Sequence, residues 1–350
     1  MPVQSSSVGL PKTIDEVDAG FLTDALCLRW PGTKVTHVEH DQVIRGTGTK
    51  LRLKRQYNEV GRDHGLPPTM WFKGGFEAHS ATVWNAHEHE ALFYHHFGCL
   101  AVVEAPLCYF ASQGIDGVPG AVLISDLLDA GATFVDGAHP IAPEQVSKGL
   151  LQMAAYHARW WDSAQLSLLG VAGGSLAKDQ RLATLSALWT AHLALPRCET
   201  IPEKLRDPAY LLPRAADAKA DGISGPSCFL HGDAHLGNWY FLPDGRLGLL
   251  DWQCVMAGNW VHDVNYFLVG SLAPADRKAH ERELLQLYLD RLTKLGCPAP
   301  DFDDAWALYT RQSYRGACWF LTPAALQSED VIKAQSERFW RALEEHDMLR

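Results

Sequence analysis

The 350-residue chain lacks the features that mark several common classes of protein. Its eight cysteines include no Cys-x-x-Cys pair, which disfavours a zinc ribbon or a redox dithiol. No apolar run approaches the roughly 18 residues that a membrane span needs, and no secretory signal is visible. The net charge of −10 disfavours a nucleic-acid partner. We therefore expect a cytoplasmic protein with reduced thiols and with neither a membrane nor a nucleic-acid partner, while its oligomeric state stays open.

Two clusters of ionisable residues are not predicted to form a binding or catalytic site. The dense basic stretch from Lys50 to Arg55 alternates with Leu51 and Leu53, which predicts a β-strand with one solvated face. Four histidines also lie close together, at positions 87, 89, 95 and 96. No His-Glu-x-x-His motif accompanies them, so we interpret them as the polar rim of a helix rather than as zinc ligands.

The run His-Gly-Asp-Ala-His-Leu-Gly-Asn at 231–238 is the most informative feature that is present. Asp233 and Asn238 have the Asp-x-x-x-x-Asn spacing of a kinase catalytic loop. Downstream, an Asp-Gly pair at 244–245 lies between apolar stretches and predicts a β-hairpin with a two-residue loop. In that register, Asn238 would face Asp251.

The predicted hairpin would bring an amide oxygen and a carboxylate to one point. Mg²⁺ prefers such hard oxygen ligands, and it binds through one or two carboxylates together with substrate phosphates. We therefore predict that Asn238 and Asp251 are the metal ligands. Asp233 is predicted to accept or orient the proton of an acceptor hydroxyl, and His231 to hold the loop through hydrogen bonds to the backbone, with direct catalysis as the alternative. These roles together predict phosphoryl transfer from a nucleotide.

A metallohydrolase is the rival interpretation of the same run. In a strand, His231, Asp233 and His235 would share one face, and such alternation can provide the ligands of a catalytic metal. This interpretation leaves the features of the N-terminal part of the chain without a role, and we disfavour it.

The N-terminal part carries residues suited to binding phosphates. The segment Gly46-Thr47-Gly48-Thr49 lies between two predicted strands, where glycines would let backbone amides approach anionic oxygens. Lys73 ends a short predicted strand and could reach phosphates as a point charge. Glu90 lies on the apolar stripe of the following helix and needs a partner if it is buried, so we predict that it pairs with Lys73, with Glu88 as the alternative.

The element pattern changes along the chain. Strands are predicted at 35–44, 51–57, 69–73, 102–110 and 118–125, with one main helix at 81–97. Helices dominate afterwards, at 143–161, 182–195, 261–272, 277–295, 303–320 and 330–349. We predict an α+β, bilobal architecture with a nucleotide-binding lobe at 1–125 and a helical lobe at 126–350. The first lobe would contain a small antiparallel sheet, and the second would carry the catalytic hairpin and the substrate site.

These motifs resemble those of the aminoglycoside phosphotransferase and choline kinase superfamily, whose fold is similar to that of protein kinases. Residues 231–238 match its His-Gly-Asp-x-x-x-x-Asn, and Asp251 matches its downstream metal aspartate. The chain is similar in more detail to the ecdysteroid-kinase-like branch and to related bacterial phosphotransferases. The segments that carry this finer likeness are Gly46-Thr-Gly-Thr-Lys-Leu-Arg-Leu, Pro68-x-x-x-x-Lys73, Glu90-x-x-Phe93-Tyr94, Tyr156-His157-Ala-Arg-Trp160 and Asp251-Trp-Gln253, followed by Gly258 and Asp263.

The resemblance implies where a nucleotide base would bind. Residues 122–127 resemble the connector of the family, where backbone groups near Ser125 and Leu127 would bind adenine. Ser125 stands where the family commonly has Glu, a change that backbone hydrogen bonding can survive. The resemblance implies a protein-kinase-like fold and an enzyme that uses ATP and Mg²⁺, with GTP open as an alternative donor.

We therefore predict an ATP-dependent phosphotransferase that acts on a hydroxyl of a small molecule. The acceptor we favour is a lipophilic steroid- or polyketide-like alcohol. An aminoglycoside or macrolide antibiotic kinase is the first alternative, and its carboxylate patch would come from Asp301, Asp303, Asp304, Glu329 and Asp330. A catalytically silent nucleotide-binding module that acts through a partner is the alternative from another class. A protein kinase is disfavoured because no Ala-Pro-Glu segment follows Asp251.

Overall fold

The computed structural model of the chain describes residues 8–80, 82–98, 102–169 and 188–350. Contacts group these residues into two units. The sheet unit contains residues 8–133 and Leu242–Val255, and the helical unit contains Phe134–Phe241 and Met256–Arg350. The division differs from the predicted one because 242–255 belongs with the N-terminal part. The assignment of 1–125 and 126–350 as functional lobes stays a prediction.

An antiparallel sheet of five strands, in the order β1-β2-β3-β5-β4, forms the centre of the sheet unit. The strands are β1 (Val35–Ile44), β2 (Thr49–Tyr57), β3 (Thr69–Gly74), β4 (Cys108–Ser112) and β5 (Ala121–Ser125). Three helices accompany them: α1 (Ala19–Cys27), α2 (Glu59–Asp63) and α3 (Trp84–Leu92), and α3 continues into a π-helical turn at Phe93–Phe97. The sheet and the main helix were both predicted, whereas α2 lies between two predicted strands where no helix was predicted, and β4 is shorter than expected.

Alternate residues of β2 build one face of the core of this unit. Leu51, Leu53 and Tyr57 are buried together with Phe72 of β3, against which Phe21 of α1 packs edge-on at 5.6 Å between ring centroids. This is the period-2 burial expected of a half-buried strand.

Two expectations about charged residues in the sheet unit are wrong. Arg55 lies on the core face of β2 and is buried, so the basic stretch is not confined to a solvated face. His87 of α3 is also buried, at 4% exposure, and does not belong to a polar helix rim. In both cases the pattern along the chain gave the right element, but the surrounding segments cover the side chain.

Helices provide most of the helical unit, as predicted. They are α4 (Pro143–Arg159), α5 (Pro208–Asp221), α6 (Val261–Ser271), α7 (Pro274–Lys294), α8 (Phe302–Gly316) and α9 (Glu329–Glu345). The helix predicted at 182–195 is observed at 188–193, while 182–187 lie outside the described residues. The prediction missed α5, which contains Pro213. Asp207 caps the start of this helix, because its side-chain Oδ1 accepts a hydrogen bond from Ala209 N.

Short strands complete the secondary structure. They are β6 (Thr133–Phe134), β7 (Cys228–Leu230), β8 (Trp239–Phe241), β9 (Leu247–Leu249) and β10 (Met256–Gly258). Within the helical unit, β7 and β10 pair in antiparallel register, with Leu230 opposite Met256. Among the described residues, no helix combines the length and the apolar character that crossing a membrane requires.

Candidate functional site

The glycine-bearing loop between β1 and β2 is fastened to the segment that follows β3. Glu77 accepts a hydrogen bond of 2.6 Å from Thr49 Oγ1, and the ring Nε2 of His79 lies 3.0 Å from Gly46 O. Thr49 is fully buried, so its hydroxyl anchors the loop instead of facing a ligand. Gly46 is exposed and Thr47 half-buried, which leaves the backbone at the tip of the loop accessible.

A buried ion cluster lies at the end of β3. Lys73 Nζ is 2.7 Å from Glu90 Oε2 and 2.5 Å from Asp251 Oδ1, and Lys73 and Glu90 are 5% and 3% exposed. Lys50, opposite Lys73 in the sheet, adds a longer contact of 3.6 Å to Asp251 Oδ2. The predicted pairing of Lys73 with Glu90 is confirmed, whereas the direct contact of Lys73 with Asp251 was not predicted.

The ion cluster keeps the lysine charged. Burial lowers the pKa of Lys73, but the carboxylates of Asp251 and Glu90 outweigh it and raise the pKa above its usual value. Burial raises the pKa of Glu90, and the neighbouring Lys73 offsets this only in part. The interactions of this desolvated lysine with its two carboxylates are weakly screened, so the cluster holds the ammonium group in a fixed position at the end of β3.

The alternative partner for the lysine, Glu88, has another role. Its carboxylate accepts backbone hydrogen bonds from Gly114 at 2.8 Å and from Gly120 at 3.0 Å. Glu88 therefore fastens α3 to the β4–β5 connection.

Asp251 is held in an unusual backbone conformation. Its φ of +64° lies in the left-handed region, and the next residue, Trp252, is fully buried and stacks on Phe93 with ring centroids 3.9 Å apart. Strain of this kind persists only where the surroundings hold it in place, and it is concentrated at functional sites. The stacked rings provide that support and fix the carboxylate beside Lys73.

The turn upstream of Asp251 differs from the predicted one. Leu242 N donates to Arg246 O and Gly245 N donates to Leu242 O, both at 2.9 Å, and Gly245 has a φ of +80°. The loop therefore contains three residues, with Pro243 at the second turn position and Gly245 in the left-handed position, which is a common three-residue hairpin loop. The prediction of a two-residue loop is wrong, and with it the register from which Asn238 was placed opposite Asp251.

A cavity of about 390 Å³ lies beside the predicted connector. It is lined by Glu104, Ala105, Leu107, Ser125, Leu127, Ala130, Leu242, Pro243, Asp244 and Arg246, all in the sheet unit. Ser125 exchanges two bonds with Leu107: its amide donates to Leu107 O at 2.8 Å, and its hydroxyl accepts from Leu107 N at 3.0 Å. The amide of Leu127 makes no hydrogen bond to any residue that the structure describes, so it can donate to a ligand in the cavity.

In the helical unit, the catalytic-loop motif is built around the buried carboxylate of Asp263. It accepts hydrogen bonds from His231 N at 2.7 Å and from Gly232 N at 3.0 Å, and the hydroxyl of Tyr156 donates to it at 3.0 Å. His262 Nε2 donates to Gly232 O at 3.1 Å. Both polar backbone groups of Gly232, whose φ is +82°, are thus held by α6.

Asp263 is ionised in this environment. Burial raises its pKa, but His157, whose Nε2 lies 3.6 Å away, and the nearby His262 and His231 outweigh burial and leave the pKa below its usual range. Burial lowers the pKa of His157, so its ring is neutral at pH 7 and acts through its dipole. The two backbone amides and the tyrosine hydroxyl act in the same direction, because they bind the charged form of the carboxyl group.

The motif residues after Gly232 fold into a tight loop. Asp233 N donates to His231 Nδ1 at 3.3 Å, and Asn238 Nδ2 donates to Asp233 O at 2.8 Å. His235 Nδ1 accepts from Gly237 N, which leaves its Nε2 protonated and 3.7 Å from Asp233 Oδ2. The Asp233 side chain is 32% exposed, so it is accessible to a substrate while its backbone is fixed.

The structure does not form the metal site that the metallohydrolase interpretation requires of His231, Asp233 and His235. Among the described residues, no group of three or more His, Cys, Asp or Glu side chains is placed to hold a metal ion. His231 is fully buried, and its Nδ1 is used by the amide of Asp233. Its position is that of a residue that shapes the loop.

Sequence reasoning missed part of this site. Asp263 was recognised only through the family resemblance, although it organises the whole loop. Asp126 was not singled out, yet it accepts bonds from Arg52 Nε at 2.7 Å and Trp71 Nε1 at 3.1 Å next to the connector. Both carboxylates are buried, and a buried carboxylate needs hydrogen-bond or charged partners. That requirement was the available signal.

The phosphotransferase enzyme family model matches residues 110–306. The chain belongs to this family. It is similar in structure to the GDP complex of wild-type aminoglycoside 2'-phosphotransferase-IIIa, with 14% identity, a TM-score of 0.50 and coverage of 94% of this chain and 99% of that one. The GDP and kanamycin complex of APH(2")-IIia gives the same values. This likeness shows the protein-kinase-like fold expected for the phosphotransferase, and no curated protein matches the sequence.

Proposed function

We propose that this phosphotransferase is an ATP- and Mg²⁺-dependent kinase that phosphorylates a hydroxyl group of a small molecule. The observation that carries the proposal is the buried cluster of Lys73, Glu90 and Asp251. Burying a charged lysine costs desolvation free energy. A role in binding phosphate oxygens would explain why the chain keeps this lysine buried between two carboxylates.

The sheet unit would bind the nucleotide. Lys73 would contact phosphate oxygens, with backbone amides of Gly46, Thr47 and Gly48 above them. The cavity beside Ser125 and Leu127 would take the base, and its volume lies within the range of ligand pockets. The two similar enzymes are GDP complexes, so GTP is a candidate donor beside ATP.

Asn238 and Asp251 would hold the magnesium ion. Asn238 uses its Nδ2 to bind Asp233 O, and no hydrogen bond to a described residue uses its Oδ1. The two residues therefore offer an amide oxygen and a carboxylate, a donor set that suits Mg²⁺. When bound, the ion would neutralise charge on the phosphate oxygens.

Asp233 would orient the acceptor hydroxyl and accept its proton. Its carboxylate is accessible, and the hydrogen bond from Gly232 N to the Asp263 carboxylate fixes the loop. His231 would serve as a structural residue of the loop, through its hydrogen bond with Asp233 N.

Aromatic residues beside Asp233 favour a lipophilic acceptor. His235 packs edge-on against Trp319 at 5.4 Å, and Trp319 stacks with Tyr266 at 5.9 Å. We therefore retain a steroid- or polyketide-like alcohol, the acceptor type suggested by the ecdysteroid-kinase-like features. One similar enzyme is a kanamycin complex, but Glu329, a member of the carboxylate patch expected for an amino sugar, pairs here with Arg197 at 3.3 Å.

A γ-phosphate transfer assay tests the proposal. ATP or GTP, each with and without Mg²⁺, is supplied with a panel of sterols, polyketide alcohols, aminoglycosides and macrolides. We expect Mg²⁺-dependent transfer to a lipophilic alcohol, and we expect Asp233→Asn to lower kcat by about 100-fold or more without changing nucleotide affinity or Tm. Transfer to aminoglycosides alone would show that the acceptor is an amino sugar and not a lipophilic alcohol. Nucleotide binding without transfer to any alcohol would favour the silent module.

A further inference from the structure

His87 is a buried histidine in the nucleotide-binding part of the proposed site. It lies on α3, one turn before Glu90, and is 4% exposed. Its Nε2 is buried and makes no hydrogen bond to any of the described residues. A buried polar atom without a partner is rare in native proteins and calls for an explanation.

The ring of His87 faces the glycine-bearing loop. A Cβ atom added at Gly48 would lie 2.9 Å from Cε1 and 3.5 Å from Nδ1 of His87, and 3.5 Å from Lys73 Cε. Real Cβ atoms do not approach a ring atom this closely, so the imidazole occupies the space that any larger residue at position 48 would need. Gly48, His87 and Lys73 therefore meet at one place, and His87 stands beside the lysine that would bind phosphate.

We propose that His87 Nε2 donates a hydrogen bond to the phosphate chain of the bound nucleoside triphosphate, and that Gly48 is small in order to admit the imidazole. The inference rests on the proposed kinase function and adds a binding residue to it. It also gives Gly48 a second role, because the missing side chain makes room for His87 as well as for the approach of backbone amides to phosphate.

The electrostatics of the pocket are consistent with a neutral donor. Burial, followed by the charge of Lys73, lowers the pKa of His87 to about 4. At pH 7 the ring therefore carries one N–H proton and no charge, so it can add a directional hydrogen bond without competing with Lys73 for the surrounding carboxylates.

Nucleotide binding to three variants tests the assignment. Isothermal titration calorimetry would compare ATP, ADP and AMP on the unmutated protein, His87→Phe, His87→Gln and the control His89→Gln, which lies on another face of α3. A hydrogen bond to a charged group corresponds to a loss of about 10- to 100-fold in affinity. We expect that loss for ATP with His87→Phe, little loss for AMP, recovery with His87→Gln, whose amide replaces Nε2–H, and no change with the control.

The outcomes distinguish a failure of the His87 assignment from a failure of the proposed kinase function. If the unmutated protein binds ATP and His87→Phe binds it equally well, the inference is wrong and the proposed function stands. Equal losses for ATP and AMP, together with a lower Tm, would assign His87 a structural role and also overturn the inference. If the unmutated protein binds none of the three nucleotides, the proposed function fails and the inference fails with it.

A double substitution checks the packing part of the inference, whether or not the histidine variants bind nucleotide. Gly48→Ala should lower Tm because the new Cβ meets the imidazole, and Gly48→Ala combined with His87→Ala should recover most of that loss. A loss of Tm that persists in the double variant would show that Gly48 is required for another reason.

Discussion

A single carboxylate, Asp263, determines the shape of the proposed catalytic loop. It is completely buried and ionised, and it binds two consecutive backbone amides, those of His231 and Gly232, as well as the hydroxyl of Tyr156. Each hydrogen bond to a charged group is worth about 1.5–3 kcal/mol, and an unpaired buried donor carries an additional cost. The loop thus depends on a residue that never reaches its accessible face.

Replacing Asp263 with Asn should therefore disturb both folding and activity. The amide offers one acceptor oxygen, and its NH₂ group would face donors, so we expect a loss of about 3 kcal/mol in the free energy of unfolding and a large fall in kcat. Urea unfolding and the transfer assay measure the two effects. Asp276→Asn, an exposed aspartate in the first turn of α7, is the matched control and should change neither quantity. A fully stable, active Asp263→Asn would contradict the role given to the buried charge.

At the residue scale, the sequence was informative where one periodicity decides the environment of a side chain. Glu90 lies on the apolar stripe of α3, and from this its pairing with Lys73 could be predicted. His87 was misjudged because the loop at Gly48, distant along the chain, covers it. Arg55 was misjudged for the same reason, since helical period or strand alternation cannot show what a distant segment contributes.

At the scale of elements, the loop at 231–238 needs a glycine at one position. Gly232 has a φ of +82°, and both its amide and its carbonyl are held by α6. An L-residue in this conformation costs about 1 kcal/mol, and any shift that relieves the strain would move Asp233. In the proposed function, strain that a larger residue introduces at position 232 would therefore disturb catalysis by displacing Asp233.

Two glycine substitutions separate strain from function. Gly117 has a similar φ of +79° and lies in the β4–β5 connection, and a Cβ atom added there would meet no heavy atom within 4 Å. Gly232→Ala and Gly117→Ala should each lower the free energy of unfolding by about 1 kcal/mol, but only the first should lower kcat. Equal kcat values for the two variants in the transfer assay would show that the loop does not need this backbone geometry.

The hairpin turn shows why elements are predicted more reliably than their register. The Asp-Gly pair indicated the turn correctly, yet Pro243 fits the second position of a type I turn, so the loop takes three residues. A shift of one residue reverses which side chains face a given side of a strand. The proposed magnesium ligands therefore depend on the family resemblance and on the chemistry of their side chains, and the turn no longer supports them.

At the scale of the whole molecule, the sequence predicted the change from a strand-rich part to a helical part, but it did not predict that residues 242–255 group with the sheet unit. Residues 242–255 lie with the sheet unit although helices surround them in the sequence. Contacts such as those of Lys73 with Asp251 and of Glu104 O with Leu249 N decide this membership. Such long-range contacts have no local sequence pattern, whereas amphipathic periodicity is local and was therefore predictable.

The buried histidines make the stability of the molecule depend on pH, and His262 provides a test. Burial, followed by the charge of Arg315, lowers its pKa to about 3 from an ordinary value of 6.5. The unfolded chain therefore binds this proton first, so the contribution of His262 to stability is complete above pH 6.5 and is lost as the pH falls towards 3. Between pH 7 and pH 5 this loss amounts to about 2 kcal/mol.

His262→Gln removes the titration and keeps an amide that can donate to Gly232 O. Urea unfolding of both proteins at pH 7 and pH 5 should show a smaller loss of stability in the variant, by about 2 kcal/mol. His87, whose pKa is also lowered, acts in the same direction but is present in both proteins, so it cancels in the comparison. Equal losses in the two proteins would mean that His262 is accessible to protons in the folded state, and that the contact between α6 and the catalytic loop opens readily.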